Sequence, residues 1–551
     1  MAEKKFYAVV TRRSPSQGVN TFPALLEKIE AERPEVPIFS YLNYQSGERI
    51  FVQPRDFRLQ AEGFGTWLYE KGKNGKVVGL LGANSYEWLL AFYGARYCGC
   101  IVLLLDRTAD MDILKDQIVR SECHDILYSA DVQEKAQKLG EELDAELYPF
   151  EKFADLATMG REMIDQGKSA CLEQTLCGDD LAVIMYTSGT TGISKGVMLS
   201  SKNLLSNADC VSDLIDLRKD QVHLLPLNHI YAIIGHLVAL TNGRCLHICL
   251  NLRRMLVDMQ TAQPELLLLV PLLIKNMYGL LWQDIRRRGD EEKVKNMIRE
   301  NHEKGKVSNA RKREMFAPYL ALFGGKLTEI ISGGAPLDVQ LIHGFAEFGI
   351  PIQEGYGITE CSPVLAVNPD TWIKNGTVGM PLPGHEIMIE NPDENGDGEI
   401  CAKGPSVMLG YYRMEKETEE AMAGGWFHTG DRGYLDTDNF LTITGRIKNL
   451  IILSNGENIS PEELEAKLYL CKAISEVVVY EKDDLIAAMV YMNPDNLAAN
   501  GITDGEANVR EFISQYNRTA SSTKKINNVY FRDTPFEKTS TMKIKRSFEK
   551  M

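Results

Sequence analysis

The hydrophobic pattern changes period several times within the first hundred residues. Residues 57–72, FRLQAEGFGTWLYEKG, space their apolar side chains at helical intervals and predict an amphipathic helix. Residues 76–82, KVVGLLG, form a short apolar run that reads as a buried strand. Helical spacing returns over 85–99, SYEWLLAFYGARYCG, with Ser85 placed to cap the N-terminus, and 100–106, CIVLLLD, predicts another strand. Strands rich in Val, Leu and Ile that alternate with helices predict βαβ units and a parallel sheet covered on both faces. Two more apolar stretches, Leu224–Leu240 and Leu266–Ile274, are broken by Asn228, His229 and His236 in one and by Pro271 in the other. They predict buried core, not membrane spans.

Residues 283–315 are charged almost throughout, and the mixed signs predict a solvated helical hairpin. After Gly445 the pattern changes again. Residues 460–470, 475–481, 485–492 and 507–517 read as helix, strand, strand and helix, a compact α+β module of roughly 100 residues. The expected architecture is therefore α/β. A large N-terminal domain, 1–446, holds parallel-rich sheets sandwiched by helices, and a small α+β domain, 447–551, follows. Arg446-Ile447-Lys448 is the expected hinge.

Length agrees, since 551 residues exceed what one core can organise. The 61 Lys and Arg face 76 Asp and Glu for a net charge of −15, which argues against general nucleic-acid binding. The 11 cysteines lack the paired spacing and histidine partners of a zinc site and read as structural thiols. With no apolar secretion signal at the start, a cytoplasmic location is expected, without a transmembrane segment. Peripheral membrane contact stays open.

Candidate chemistry enters at residues 186–196, YTSGTTGISKG, which follow the apolar run LAVIM. Glycines let a backbone approach an anion and turn its N–H groups inward. The hydroxyls of Thr187, Ser188, Thr190 and Thr191 add donors, and Lys195 adds charge. This composition suits a polyphosphate, although no Walker A spacing is present. The string YTSGTTGISKGVMLS resembles the signature loop of the adenylate-forming superfamily, which includes acyl-CoA synthetases, peptide-synthetase adenylation domains and beetle luciferases. Further motifs continue the resemblance in order from about residue 57 to residue 546.

That resemblance implies a nucleotide site. Thr187, Ser188, Gly189, Thr190, Thr191, Gly192 and Lys195 would hold the phosphates of ATP, and Gly333, Gly334, Ala335 and Pro336 would edge the adenine. In Gln353-Glu354-Gly355-Tyr356-Gly357-Ile358-Thr359-Glu360, Tyr356 offers a flat face to a purine and Thr359 a hydroxyl near the α-phosphate. Glu360 offers a hard oxygen to Mg²⁺, with Thr187 as second ligand. The same string is expected to end a strand and open a helix capped by Thr359. Asp431 of TGD is expected to accept hydrogen bonds from the ribose hydroxyls, with Arg446 beside it.

The closing string Lys538-Thr-Ser-Thr-Met-Lys543-Ile-Lys-Arg546 resembles the family's P-K-T-x-x-G-K-I-x-R motif and makes Lys543 the adenylation lysine. Met542 and Glu537 depart from the motif's glycine and proline. Lys448 aligns with the hinge, and Gly456 with the glycine lining the thiol channel. His229 of LPLNH aligns with a histidine bordering the acyl pocket. The catalytic set is then Lys543, Thr359 and Glu360.

SGGAPL, the charged insertion and LSNGENISPEE are most similar to the long-chain fatty acyl-CoA synthetase branch. The implied reaction joins a carboxylic acid to CoA through acyl-AMP. A stand-alone ligase that loads an acyl carrier protein in trans is the alternative, and a degenerate nucleotide-binding regulator a more distant one. Medium-chain, aryl and bile-type acids stay open.

Overall fold

The computed structural model describes residues 5–6, 19–187, 194–452, 458–483, 485–499, 501–521, 524–538, 544 and 546. The alternating pattern forms as expected: helix Pro54–Glu70, strand Val77–Leu81, helix Tyr86–Cys98 and strand Ile101–Leu105. Ser85 Oγ accepts from the Trp88 N–H at 3.1 Å, and Gly99, at φ 80°, closes the same helix in the left-handed conformation. The two strands are parallel neighbours at the centre of a seven-stranded sheet. Strand Leu181–Thr187 joins them in parallel, and Lys195–Ser200 folds back antiparallel beside it.

A nine-stranded sheet runs parallel through Phe39–Leu42, Leu246–Ile248, Gln221–His223, Leu266–Leu269, Glu329–Ser332 and Ile352–Gly357. Antiparallel strands close both of its edges. The parallel-rich architecture predicted from sequence is present. A further five-stranded sheet, antiparallel throughout, contains Glu386–Glu390, Gly398–Lys403, Phe427–Leu435 and Leu441–Arg446. The pattern did not announce it, because register shifts at Glu399/Cys401 and Arg432/Gly433 break the two-residue alternation.

Leu224–Leu240 yields the helix Ile230–Thr241, buried on nearly every side. Leu266–Ile274 splits into the strand Leu266–Leu269 and the start of helix Pro271–Arg287, with Pro271 in the first turn, where its missing N–H costs nothing. No helix among the described residues is long and apolar enough to cross a membrane. The charged stretch is helical but is not a simple hairpin. It comprises the end of Pro271–Arg287, then Glu291–Glu303 and Asn309–Met315. Exposed pairs such as Lys295–Glu291 at 3.0 Å face solvent, while Val294 anchors the set in the core.

Beyond the turn Ile447–Asn449 a separate apolar cluster forms from Ile451, Leu464, Leu468, Val477, Val490, Val509 and Ile513. Around it stand the predicted helix Pro461–Leu468, the antiparallel strands Glu476–Lys482 and Leu485–Tyr491, and the helix Gly505–Thr519. Strand Asn528–Arg532, parallel to Leu485–Tyr491, was not foreseen. All five of its residues are half-buried, so it shows no alternation to read. Ser460 Oγ donates to the Thr444 carbonyl at 2.6 Å, and Asn449 Nδ2 to Glu462 Oε1 at 2.6 Å, which ties the module to the strand before it. The cysteines are free thiols, buried except for Cys177.

Candidate active site

Strand register builds the first half of the site. Asp431 and Arg446 stand directly opposite each other on antiparallel neighbours, and Arg446 Nε meets Asp431 Oδ1 at 2.7 Å. The second carboxylate oxygen accepts from the Tyr356 hydroxyl at 2.7 Å, across the gap between the five- and nine-stranded sheets. Asp431 is 3 % exposed and Tyr356 9 %. Each carboxylate oxygen keeps a lone pair for another donor, as a vicinal diol requires. Beyond the flat face that the sequence leads one to expect at Tyr356, its hydroxyl has a role of its own and orients Asp431.

The second half gathers around Glu360. The residues Thr359–Cys361 form a single tight turn preceded by Ile358, so Thr359 opens the turn and does not cap a helix as expected. The Pro363 carbonyl accepts from the Ile358 N–H at 3.0 Å and turns the chain back, leaving no room for a longer helix. Glu360 Oε1 accepts from the Tyr411 hydroxyl at 3.0 Å, and Lys195 Nζ lies 4.6 Å from the centre of the Tyr411 ring. Burial raises the Glu360 carboxyl above its usual range, against the pull of Tyr411 and Arg446. Burial also lowers the Lys448 ammonium, which feels Arg446, Asp431, Glu360 and Lys195. Three cations and two carboxylates thus share one basin.

Tyr411 was missed in the sequence. Its strand Gly410–Tyr411 is two residues long and pairs with Val197 and Met198, so only the fold places it beside the loop. Glu360 suits a divalent cation: it is a half-buried hard-oxygen donor whose charge a dication would offset. Thr187, opposite Lys195 at the end of its strand, can add a hydroxyl.

A third wall comes from the carboxyl ends of the parallel strands. Gly334, at φ +86°, needs the freedom of glycine, and a Cβ on Gly333 would stand 3.0 Å from Tyr231 Cζ. Gly334, Ala335 and Pro336 are exposed, as an edge-on contact requires. The Tyr231 hydroxyl donates to the Ile331 carbonyl at 3.1 Å, which holds helix Ile230–Thr241 against this turn. His229 precedes that helix at its N-cap. Asn84 fixes the approach by donating to the Leu225 carbonyl at 2.7 Å and accepting from the Leu227 N–H at 2.8 Å. Burial pushes the Glu354 carboxyl up to about 7, opposed by a hydrogen bond from the Leu337 backbone.

Gly357 sits where two chains nearly touch, and a Cβ there would lie 2.3 Å from the Pro363 carbonyl oxygen. At Gly355 the nearest atom would be 3.4 Å away, an ordinary contact. Gly357→Ala is therefore expected to lose about 1–3 kcal/mol in urea unfolding through overpacking, and Gly355→Ala less than about 0.5 kcal/mol, as at sites free of such clashes. Equal losses would show that the close approach is not what selects glycine.

Ser188, Gly189, Thr190, Thr191, Gly192, Gly456 and Lys543 lie outside the described residues. The residues flanking Lys543 are anchored. Lys538 pairs with Ile544 in an antiparallel bridge and meets Glu476 Oε1 at 2.5 Å. Arg546 forms ion pairs with Glu465 and Glu462. Across the interface, Lys275 of the large module feels both Lys538 and Glu476.

Comparison with known proteins adds a family. The model of the AMP-binding enzyme family matches residues 27–412, and that of the AMP-binding enzyme C-terminal domain matches 448–549. A long-chain-fatty-acid–CoA ligase, FadD15 of Mycobacterium bovis, is 27% identical over 532 residues, covering 86% of each chain. Long-chain-fatty-acid–CoA ligase 1 of Cavia porcellus is 27% identical over 521 residues, 85% of this chain and 72% of that one. Among solved structures, the o-succinylbenzoate CoA synthetase MenE of Bacillus subtilis, in complex with an acyl-adenylate intermediate, superposes with a TM-score of 0.73. It is 20% identical and covers 96% of this chain and 98% of that one.

Proposed function

The chain belongs to the AMP-binding enzyme family of adenylate-forming proteins, and from that premise we propose that it is an AMP-forming acyl-CoA synthetase acting on long-chain fatty acids. The observation that supports this most is the basin where Asp431, Arg446 and Tyr356 meet Glu360, Tyr411, Lys195 and Lys448. It offers a diol acceptor, a metal-grade carboxylate and several cations within one nucleotide's reach.

In the first half-reaction a carboxylate oxygen bonds to the α-phosphorus of ATP as the bond to the bridging oxygen breaks and pyrophosphate leaves. Like charges a few Å apart repel by about 4 kcal/mol at an effective dielectric of 20. Lys195, Lys448 and Lys543 offset that repulsion, and Asp431 with Arg446 holds the ribose so that attack is in line. Glu360 and Thr187 would hold Mg²⁺, which supplies charge neutralisation on the phosphates. Thr359 donates to the α-phosphate. Glycines 189, 192, 333, 334, 355 and 357, with Ser188, Thr190, Thr191, Ala335, Pro336 and Glu354, complete the cradle.

In the second half-reaction the CoA thiolate bonds to the acyl carbonyl carbon and AMP leaves. The division after Arg446 gives the small module, 447–551, a pivot at Lys448, and Gly456 lines the thiol path. The fatty acid would lie along the apolar helix that follows His229, buried through Ile230, Ile233, Ile234 and Leu237. Each methylene in such a pocket changes affinity by about 1 kcal/mol, so length preference should be graded.

A pyrophosphate-release screen with ATP, Mg²⁺ and CoA over acids of increasing length and aromaticity tests the reading. Release is expected to require acid and to be fastest with long aliphatic chains. Acid-independent release would end the ligase reading. Faster turnover of short or aryl acids would replace the substrate class alone, and AMP release driven by acyl carrier proteins but not CoA would replace the acceptor.

A further inference from the structure

On the five-stranded sheet, behind the ribose-side strand, four metal-capable side chains share one face. Glu390 stands directly opposite Glu399 on neighbouring antiparallel strands. Cys401 lies two residues beyond Glu399 and directly opposite His428 on the next strand. The ligand atoms of all four fall within 4.8 Å of one another. This arrangement comes from register and owes nothing to local sequence spacing, which is why the sequence carries no zinc pattern of closely spaced cysteines and histidines.

We infer that Glu390, Glu399, Cys401 and His428 form a zinc site, in which an ion bound by one thiolate, one imidazole and two carboxylates fixes the strand Phe427–Leu435. The distances fit. A tetrahedral zinc with bonds of about 2.0–2.3 Å places its ligand atoms roughly 3.3–3.8 Å apart. His428 Nδ1 lies 3.2 Å from Glu399 Oε2, 3.6 Å from Glu390 Oε2 and 3.5 Å from Cys401 Sγ. These are three edges of such a tetrahedron.

The imidazole is also oriented as a ligand would be. Its Nε2 is 3.2 Å from the Ala423 carbonyl, so an N–H there leaves the Nδ1 lone pair facing the cluster. A dication between the facing carboxylates offsets their mutual repulsion. Binding replaces the thiol proton of Cys401, so one proton is released per zinc. Cys401 is 0 % exposed, and the other three are about one-fifth exposed, which leaves an entry path. Glu399 Oε1 accepts from the Gly430 N–H at 3.1 Å, so the ion would brace the residue beside Asp431.

The site is independent of the ligase reading and is read by metal content, not turnover. The full chain, stripped by chelator and dialysed, would be titrated with Zn²⁺ alone and then with Co²⁺, whose thiolate complex absorbs in the near ultraviolet. One equivalent of zinc and a cobalt–thiolate band are expected in the wild type and in Cys177→Ser, which removes the exposed thiol. Cys401→Ser should lose the band, and His428→Gln should weaken zinc at least ten-fold. If Cys401→Ser does not fold, Glu390→Gln, at the open side, reads the same site: weaker zinc supports it and unchanged affinity overturns it. No zinc bound by the wild type overturns the inference. So does a band that disappears with Cys177.

Discussion

Lys543→Ala is expected to reduce acid-dependent pyrophosphate release by about 10²–10³-fold, the usual loss when one preorganised charge is withdrawn from a developing anion. The reason is electrostatic. The basin holds Lys195 and Arg446 of the large module and the pivot residue Lys448 against Glu360 and Asp431. That small positive surplus is less than a triphosphate and a carboxylate demand together, and on the proposed reading Lys543 supplements it alongside Mg²⁺. The anchors around Lys543 are suited to deliver it: Lys538 is held on Glu476 and Arg546 on Glu465 and Glu462, and Lys538 lies within electrostatic reach of Lys275. Gly456→Leu is the complementary change. If Gly456 lines the thiol path as proposed, the change should leave pyrophosphate release within about three-fold, since it alters no charge, while the added side chain blocks thioester formation. The two half-reactions are measured separately, as pyrophosphate released in a single turnover and as acyl-CoA formed from preloaded acyl-adenylate. Loss of both in the Gly456 variant would refute the assignment of that glycine to the second step alone.

Both halves of the site were legible to different degrees, and the difference has a physical basis. Lys195, Glu360 and Asp431 sit in strings dense with glycine and hydroxyl residues, where the chain has given up ordinary helix and strand chemistry, and such strings stand out. Tyr411 does not. It sits in a two-residue strand and acts only because that strand pairs with Val197 and Met198. The facing pair Glu390 and Glu399 and the pair Cys401 and His428 are invisible for the same reason, since cross-strand register is a property of the sheet. The parallel sheets were readable because two-sided burial makes their strands continuous apolar runs, as in Val77–Leu81, buried at every residue. The strand Asn528–Arg532 is half-buried throughout and gave no such signal.

Asp431→Asn should raise the KM for ATP by roughly 10–100-fold while changing kcat much less, as expected when a charged hydrogen bond worth about 1.5–3 kcal/mol is removed from the bound nucleotide. The native carboxylate has one oxygen on Arg446 Nε and the other on the Tyr356 hydroxyl. An amide can satisfy only one of those donors and turns its own N–H groups toward the other. Stability should fall by only about 1 kcal/mol, because the Arg446 side chain is 42% exposed and its pairing is screened by solvent. Tyr356→Phe separates orientation from contact. It removes the hydroxyl but leaves the Arg446 ion pair, so the carboxylate keeps its charge and loses one of its two fixed directions. Its KM effect should be a few-fold, well below that of Asp431→Asn. If Tyr356→Phe proved the more damaging of the two for ATP binding, the nucleotide would be reading the tyrosine and not the aspartate, and the ribose contact would have to be assigned elsewhere in the basin.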